Sequence, residues 1–140
     1  MTQILHQATC VAIGGRGLLI EGAAGAGKSS LALALIDRGA VLVGDDGVLI
    51  EPHGDRVLGS PAPSIAGKLE IRGVGLLDYP TATAVPLALV IRLDDNAPRF
   101  RDQPEWVDRA GARLPCVALW PDSPVIALRA EAALQSHGLA

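Results

Sequence analysis

The chain has 140 residues, of which 49% are hydrophobic and 3% aromatic, and its formal net charge at pH 7 is −3. We expect residues 1–140 to form a single domain, because this length suffices for one aliphatic core but not for two. The weakly negative charge excludes a general attraction to nucleic acid or to anionic membranes.

The lack of a recognisable targeting signal and the placement of the two cysteines predict a reducing compartment. The N-terminal residues lack the basic and apolar regions of a signal peptide, and no apolar run approaches the roughly 18 residues of a membrane span. Cys10 and Cys116 have no metal-ligand spacing, so they are expected as reduced core residues, with a disulfide between them as the alternative. We therefore expect a cytoplasmic protein without membrane contact.

The first half of the chain predicts strands joined by tight turns around one helix. Residues 5–13 predict a strand, and a glycine-rich turn at 14–17 leads into a second strand over 18–21. Residues 30–36 predict a helix that ends at Gly39. Residues 40–43 predict a buried strand, and residues 48–51 and 56–58 predict a hairpin.

The second half predicts more strands and one terminal helix. Residues 60–67 read as a loop because Pro61 and Pro63 interrupt regular structure, and residues 88–93 predict a central strand. A polar, mobile loop is expected over 94–104, and Pro115 indicates that the strand at 114–119 lies at an edge. Residues 125–137 predict an amphipathic helix. Hairpin-joined strands outnumber helices, which predicts a mixed sheet rather than simple β-α-β alternation.

The segment between the second strand and the first helix has the P-loop pattern G-x-x-x-x-G-K-[ST]. The predicted nucleotide-binding residues are Gly22, Ala23, Ala24, Gly25, Ala26, Gly27, Lys28, Ser29 and Ser30. In a strand–loop–helix context, backbone N–H groups of such a loop bind a triphosphate at the helix N-terminus. Lys28 would reach the β- and γ-phosphates, and the Ser29 hydroxyl would bind Mg²⁺. The flanking strand and helix disfavour the alternative, a small-residue turn that only starts a helix.

Two further sets of carboxylates are candidates for chemistry. Asp45 and Asp46 end a predicted strand beyond the helix, so one could accept a proton while the other orients Mg²⁺ or water. A solvated Asp-Asp-Gly turn is the alternative. Glu70 and Arg72 are two residues apart, so on a strand they face the same side and either form an exposed ion pair or line a site.

Histidine and arginine residues give a weaker signal. His6, judged by its spacing alone, favours a structural role. Four arginines cluster around Trp106 and could clamp a phosphoryl group, contact an acidic partner or keep a loop soluble. They are Arg99, Arg101, Arg109 and Arg113.

Taken together, these segments resemble the C-terminal catalytic domain of bacterial HPr kinase/phosphorylase, in the short form without an N-terminal domain. The resemblance rests on residues 19–29, 35–39 and 43–46 and on the motif L-E-I-R-G-x-G at 69–75. It implies an α/β fold in which a P-loop is inserted in a mixed β-sheet with flanking helices. It also implies similarity to the nucleotide-binding part of phosphoenolpyruvate carboxykinase.

The same resemblance implies a function. The family uses ATP and Mg²⁺ to phosphorylate a serine of HPr, a small phosphocarrier of the phosphotransferase system, and it forms homo-oligomers, namely hexamers. Carried over to this chain, Asp46 is the base for the serine hydroxyl and Asp45 its neighbour, while Lys28 keeps its phosphate role. Glu70 is a second Mg²⁺ ligand beside Ser29.

Two more residues are carried over, and one segment departs from the family. His6 corresponds to an active-site histidine, and Arg109 to the arginine of a D-R-x-G segment, with Arg113 as the alternative. Many members carry P-x-R-P-G-R, associated with dephosphorylation, where this chain has W-P-D-S-P at 120–124. Because both arginines are absent, we expect phosphorolysis of phosphoserine-HPr to be weak or lost.

Two other functions stay open. A small-molecule P-loop kinase or a nucleotide hydrolase would turn over ATP without a protein acceptor. A nucleotide-sensing regulatory module would bind ATP tightly and transfer no phosphoryl group.

Overall fold

The structure, a computed structural model, describes residues 3–140; residues 1 and 2 of the expected domain lie outside the described residues. Its elements are, in chain order, β1 (Ile4–His6), β2 (Thr9–Ile13), β3 (Arg16–Glu21), α1 (Lys28–Asp37), β4 (Val41–Gly44), β5 (Val48–His53), β6 (Arg56–Pro61), a 3₁₀ turn (Pro63–Ile65), β7 (Lys68–Ile71), β8 (Gly75–Asp78), β9 (Val85–Leu93), β10 (Glu105–Arg109), β11 (Ala112–Leu119) and α2 (Ile126–His137).

Within residues 3–140, nine strands form one mixed sheet with β9 at its centre. The strand order is β1-β5-β6-β9-β3-β2-β4, and β11 and then β10 continue from β9. β3 and β11 run parallel to β9, whereas the other pairings in this sheet are antiparallel. The carboxyl ends of β3, β9 and β11 therefore meet at one edge, the place where parallel sheets bind ligands.

Both α-helices pack on one face of this sheet. Alternation along β3 sends Leu18 and Ile20 towards the helices and Leu19 towards the opposite face. In α1, Leu31 and Leu35 are buried against the same helix-side core. The predicted α/β fold with a mixed sheet and flanking helices is confirmed.

Glycines with positive φ explain the β2–β3 hairpin and the end of α1. Gly14 and Gly15 both have positive φ, 57° and 82°, and join β2 to β3 in a two-residue turn. The hairpin is where it was predicted, but β3 begins at Arg16, inside the turn predicted over 14–17. Gly39, with φ 109°, follows the end of α1 and donates its N–H to the Ile36 carbonyl, as expected for a C-terminal glycine.

Four details differ from the sequence predictions. The strand predicted over 5–13 is two strands, because the chain turns tightly where the Ala8 N–H donates to the His6 carbonyl. β6 extends through Pro61, into the segment predicted as a loop. Pro115 does not mark an edge strand, since β11 lies between β9 and β10; its ladder with β9 begins at Cys116, after the proline. β10 itself was not predicted.

The remaining expectations concern membrane spans and cysteines. Within residues 3–140, neither helix is long and apolar enough to cross a bilayer. Cys10 and Cys116 are buried and unbridged, as predicted for core thiols, and burial raises the pKa of Cys10 to about 12.

Candidate active site

The G-x-x-x-x-G-K-S segment comprises the turn after the carboxyl end of β3 and the first two residues of α1. Gly27 precedes the helix with φ 107°, a left-handed conformation that favours glycine. The helix has no side-chain cap and no acidic residue in its first turn. Its first backbone N–H groups and the positive end of its dipole are therefore left for an anion.

The ammonium group of Lys28 lies back over this loop. Its Nζ donates to the carbonyl oxygens of Gly22 at 2.8 Å and Ala23 at 3.0 Å. These bonds hold the positive charge of Lys28 beside the backbone N–H groups of the loop. A triphosphate bound there would contact both the ammonium group and the N–H groups.

Asp45 ties three segments together at the same place. Its Oδ1 accepts hydrogen bonds from the Ser29 hydroxyl at 2.6 Å and the Thr9 hydroxyl at 3.0 Å, and its Oδ2 accepts from the Glu70 backbone N–H at 3.1 Å. Asp45 is 7% exposed, so this buried carboxylate depends on these donors for its solvation. The network fixes α1, β2 and β7 relative to one another.

Asp46 is turned the other way by a constrained backbone. A Cβ at Gly44 would overlap the Gly47 carbonyl oxygen, so the turn at 44–47 can close this tightly only with glycine. Asp46 has φ 58°, a left-handed conformation that non-glycine residues seldom adopt. The result is one buried aspartate and one exposed aspartate, as expected for adjacent carboxylates with different tasks.

A cavity of about 310 Å³ brings most of the predicted residues together. Its lining is Ala24, Gly25, Gly27, Lys28, Ser29, Ser30, Asp45, Asp46, Glu70 and Arg72. Glu70 lies in β7, whereas Arg72 lies in the turn that follows and not on the strand, as the prediction assumed. Both nevertheless line the cavity, which is one of the two alternatives the sequence left open.

Hydroxyl and carboxylate oxygens in the cavity suit Mg²⁺. Ser29, Asp45 and Glu70 line the same cavity, but residues 3–140 hold no group of three His, Cys, Asp or Glu side chains arranged for a metal. Mg²⁺ in phosphoryl-transfer sites is usually bound by one or two carboxylates with substrate phosphates and waters, so a small protein ligand set suffices.

His6 and Arg109 meet at a residue that the sequence analysis did not select. Glu21, the last residue of β3, accepts two hydrogen bonds from Arg109: Nε donates to Oε2 at 2.8 Å and Nη2 to Oε1 at 2.6 Å. The His6 Nε2 lies 2.7 Å from Oε2 of the same carboxylate. The sequence signal for Glu21 was its position: it is a charged residue that ends an apolar strand directly before Gly22.

The electrostatics of this cluster favour an ionised Glu21. Burial opposes ionisation, but the hydrogen bonds and charges of Arg109 and His6 outweigh it and lower the pKa of Glu21 to about 2. The same carboxylate raises the pKa of Arg109. The side chain of Glu21 lies on the same face of β3 as Leu19, the face opposite the helices. Thr9 and Ser29, by contrast, contact Asp45 beside α1.

The other arginines of the predicted cluster do not reach Glu21. Arg113 lies over the Trp106 ring, 5.0 Å from its centroid, and Arg101 pairs with Glu105 at 3.3 Å. Arg109 is thus the member of that cluster that contacts Glu21, the residue before the phosphate loop. Neither Arg109 nor His6 is among the residues that line the 310 Å³ cavity.

A second cavity, of about 450 Å³, lies on another side of the loop. Its lining is Ala23, Ala24, Gly25, Ala26, Leu93, Asp94, Asp95, Asn96, Pro121 and Asp122. It includes part of the 120–124 segment, and its side-chain charges are carboxylates.

Comparison with known proteins gives a consistent result. Residues 1–92 match the family model described as the HPr Serine kinase C-terminal domain. An HPr kinase/phosphorylase of Exiguobacterium sibiricum is 45% identical over 105 residues, which is 72% of this chain and 33% of that protein. One of Caldanaerobacter subterraneus subsp. tengcongensis is 38% identical over 117 residues, covering 78% of this chain and 37% of that protein.

A solved structure agrees in fold. The structure of the Hpr(Ser) kinase/phosphatase from Coxiella burnetii superposes with a TM-score of 0.82 at 30% identity, covering 94% of this chain and 88% of that one. The chain spans about a third of the length of the two curated relatives above.

Proposed function

Because the chain belongs to the HPr Serine kinase C-terminal domain family, we propose that it is an ATP-dependent protein serine kinase whose acceptor is the phosphocarrier protein HPr. The observation that carries the proposal is that Lys28, Ser29, Asp46 and Glu70 line one cavity at the carboxyl end of β3. We further propose that residues 1–140 act as one catalytic domain. Similarity to phosphoenolpyruvate carboxykinase stays a prediction.

In this proposal the loop and Lys28 bind the triphosphate. The loop amides and the start of α1 offer N–H donors, and the Lys28 ammonium offsets charge that develops on the β- and γ-phosphates. Ser29 and Glu70 hold Mg²⁺, with Asp45 keeping the Ser29 hydroxyl in place at 2.6 Å. When bound, Mg²⁺ neutralises phosphate charge and aligns the transferred group.

Asp46 is the proposed general base. It is exposed on the cavity while its neighbour is buried, so an acceptor serine can approach it. The serine oxygen attacks the γ-phosphorus in line, its proton passes to Asp46, and the bond to the β-phosphate oxygen breaks to release ADP. Arg109 and His6 are the remaining proposed catalytic groups.

We place the nucleoside half of ATP in the second cavity. Ala24 and Gly25 line both cavities, so a nucleotide whose phosphates lie in the first can extend into the second. Leu93 and Pro121 supply apolar surface there, and Asp122 supplies an acceptor for hydroxyl groups.

The same lining supports weak phosphorolysis. Asp122 and its neighbouring carboxylates repel inorganic phosphate near the loop, where an arginine would attract it. With phosphoserine-HPr, phosphate and Mg²⁺, we expect pyrophosphate release to be far slower than the forward kinase reaction. Comparable rates in the two directions would contradict this part of the proposal.

We also infer a homo-oligomer, the assembly that the family resemblance implies. Large apolar side chains stand exposed at several places, among them Val74 at 69% and Phe100 at 79% exposure. Apolar side chains exposed singly do not define an interface, so the inference follows from the family resemblance. Light scattering coupled to size exclusion would measure the mass in solution, and a monomer at micromolar concentration would contradict the inference.

A further inference from the structure

We propose that Glu21 is a positioning residue, which holds the Arg109 guanidinium and the His6 imidazole in one fixed arrangement beside the phosphate loop. This inference rests on the proposed kinase function and adds to it a residue with no role assigned so far. It concerns how the two proposed catalytic side chains are held, not which phosphate they touch.

The hydrogen-bond geometry supports positioning of Arg109. The two bonds from Nε and Nη2 to Glu21 form a bidentate pair, which fixes the plane of the guanidinium. Its Nη1 donates to the Asp108 carbonyl at 2.7 Å. A guanidinium has five N–H donors, so these three bonds leave two N–H groups uncommitted.

The same carboxylate orients His6. An ionised carboxylate only accepts hydrogen bonds, so Nε2 of His6 must carry a proton in this contact. In the neutral ring this fixes the tautomer and leaves Nδ1 as the nitrogen not committed to Glu21.

The placement of Glu21 connects this pair to the nucleotide site. Glu21 directly precedes Gly22, whose carbonyl accepts from Lys28, so the anchoring carboxylate and the loop share the end of β3. His6 ends β1 and Arg109 ends β10, two strands that are distant in the sheet order. One carboxylate therefore joins two strand ends to the loop.

Other charged groups nearby have partners of their own. Arg92 is opposite Glu21 in the strand register, but its Nη2 donates to Glu105 and its Nη1 to the Cys116 sulfur. Arg92 is thus engaged elsewhere and does not replace Arg109 as the partner of Glu21.

The test compares Glu21→Gln and Glu21→Ala with wild type in transfer from ATP to HPr, using protein shown to be folded by circular dichroism. We expect kcat to fall by about 10²-fold in both variants while the KM for ATP stays within about threefold, because misplaced catalytic groups impair the chemical step. Formate, a small carboxylate, should restore part of the activity of Glu21→Ala, and Glu21→Asp should retain more activity than Glu21→Gln.

Glu131→Gln is the matched control, since it removes an exposed ion pair with Arg38 at 2.9 Å, and its kinetics should equal those of wild type. Unchanged kcat in Glu21→Gln would overturn the proposal. So would a loss that formate and Glu21→Asp both fail to relieve and that raises the KM for ATP in proportion, because this is the pattern of general structural damage.

A measurement on wild type keeps the proposal testable if the variants do not fold. In ¹⁵N spectra, the Arg109 Nε–H and His6 Nε2–H signals should persist when Mg²⁺ and a non-hydrolysable ATP analogue are added. Loss of both signals on addition would overturn the proposal. If wild type transfers nothing to HPr, the kinase proposal fails, and these spectra still decide whether Glu21 holds the pair.

Discussion

Replacing Glu21 by glutamine should remove a contribution to stability that depends on pH. Burial opposes ionisation of this carboxyl, but the bonds and charges of Arg109 and His6 prevail and lower its pKa from 4.5 to about 2. A carboxyl with a lower pKa in the folded than in the unfolded state stabilises the fold once it is ionised in both. This difference corresponds to about 3 kcal/mol of unfolding free energy at neutral pH.

Because the pKa of Glu21 is lower in the folded state, its contribution to stability is lost as the pH falls. The contribution is complete above about pH 5, begins to fall as the pH drops through the unfolded-state value, and is gone below about pH 2. About half of it should be lost by about pH 3. Glu21→Gln cannot titrate, so its unfolding free energy should approach that of wild type as the pH falls.

Urea unfolding followed by circular dichroism, from about pH 7 to about pH 3, measures this gap. Other carboxylates titrate in both proteins, so the difference between the two curves of unfolding free energy against pH reports the contribution of Glu21. Glu131→Gln removes an exposed pair and should show a small gap at every pH. A gap between wild type and Glu21→Gln that stays constant over this range would refute the reasoning.

Four other substitutions test the site and the core. Asp46→Asn should lower phosphoryl transfer by about 10²–10⁴-fold with ATP binding retained, and normal turnover would exclude Asp46 as the base. Lys28→Ala should weaken ATP binding at least about tenfold in calorimetry, because it removes a charge-assisted contact to phosphate; unchanged affinity would contradict the loop assignment. Asp45→Asn should lower the unfolding free energy by about 1–3 kcal/mol, since an amide cannot satisfy all three donors; an equally stable variant would argue against the network. Leu89→Ala, in the fully buried centre of β9, should cost about 2–5 kcal/mol in urea unfolding, and a loss well below this would mean that the core repacks.

Local patterns were enough to predict much of the fold. The helix after the loop, the hairpin at Gly14–Gly15 and the central strand β9 follow from apolar periodicity and from glycines at turns, which are properties of short segments. The split between β1 and β2 is different, because both segments are apolar and they are separated by the tight turn at Ala8 and by pairing with different strands. Pairing partners far apart in sequence leave no local signal.

The site was predictable in the same uneven way. The loop motif placed Lys28 and Ser29, and the strand-end aspartates placed Asp45 and Asp46 at the same cavity. Glu21 was missed because its importance comes from two partners, 15 and 88 residues away. A charged residue at the end of an apolar strand, directly before a glycine-rich loop, would have been the feature to examine.

The most direct test of the central claim is the intact mass of HPr after incubation with this protein, ATP and Mg²⁺. We predict one added phosphoryl group, located on a serine, which is absent when Lys28→Ala or Asp46→Asn replaces wild type. An unchanged HPr mass, with ATP binding demonstrated in the same sample, would contradict the kinase assignment and favour a nucleotide-sensing module or a different acceptor.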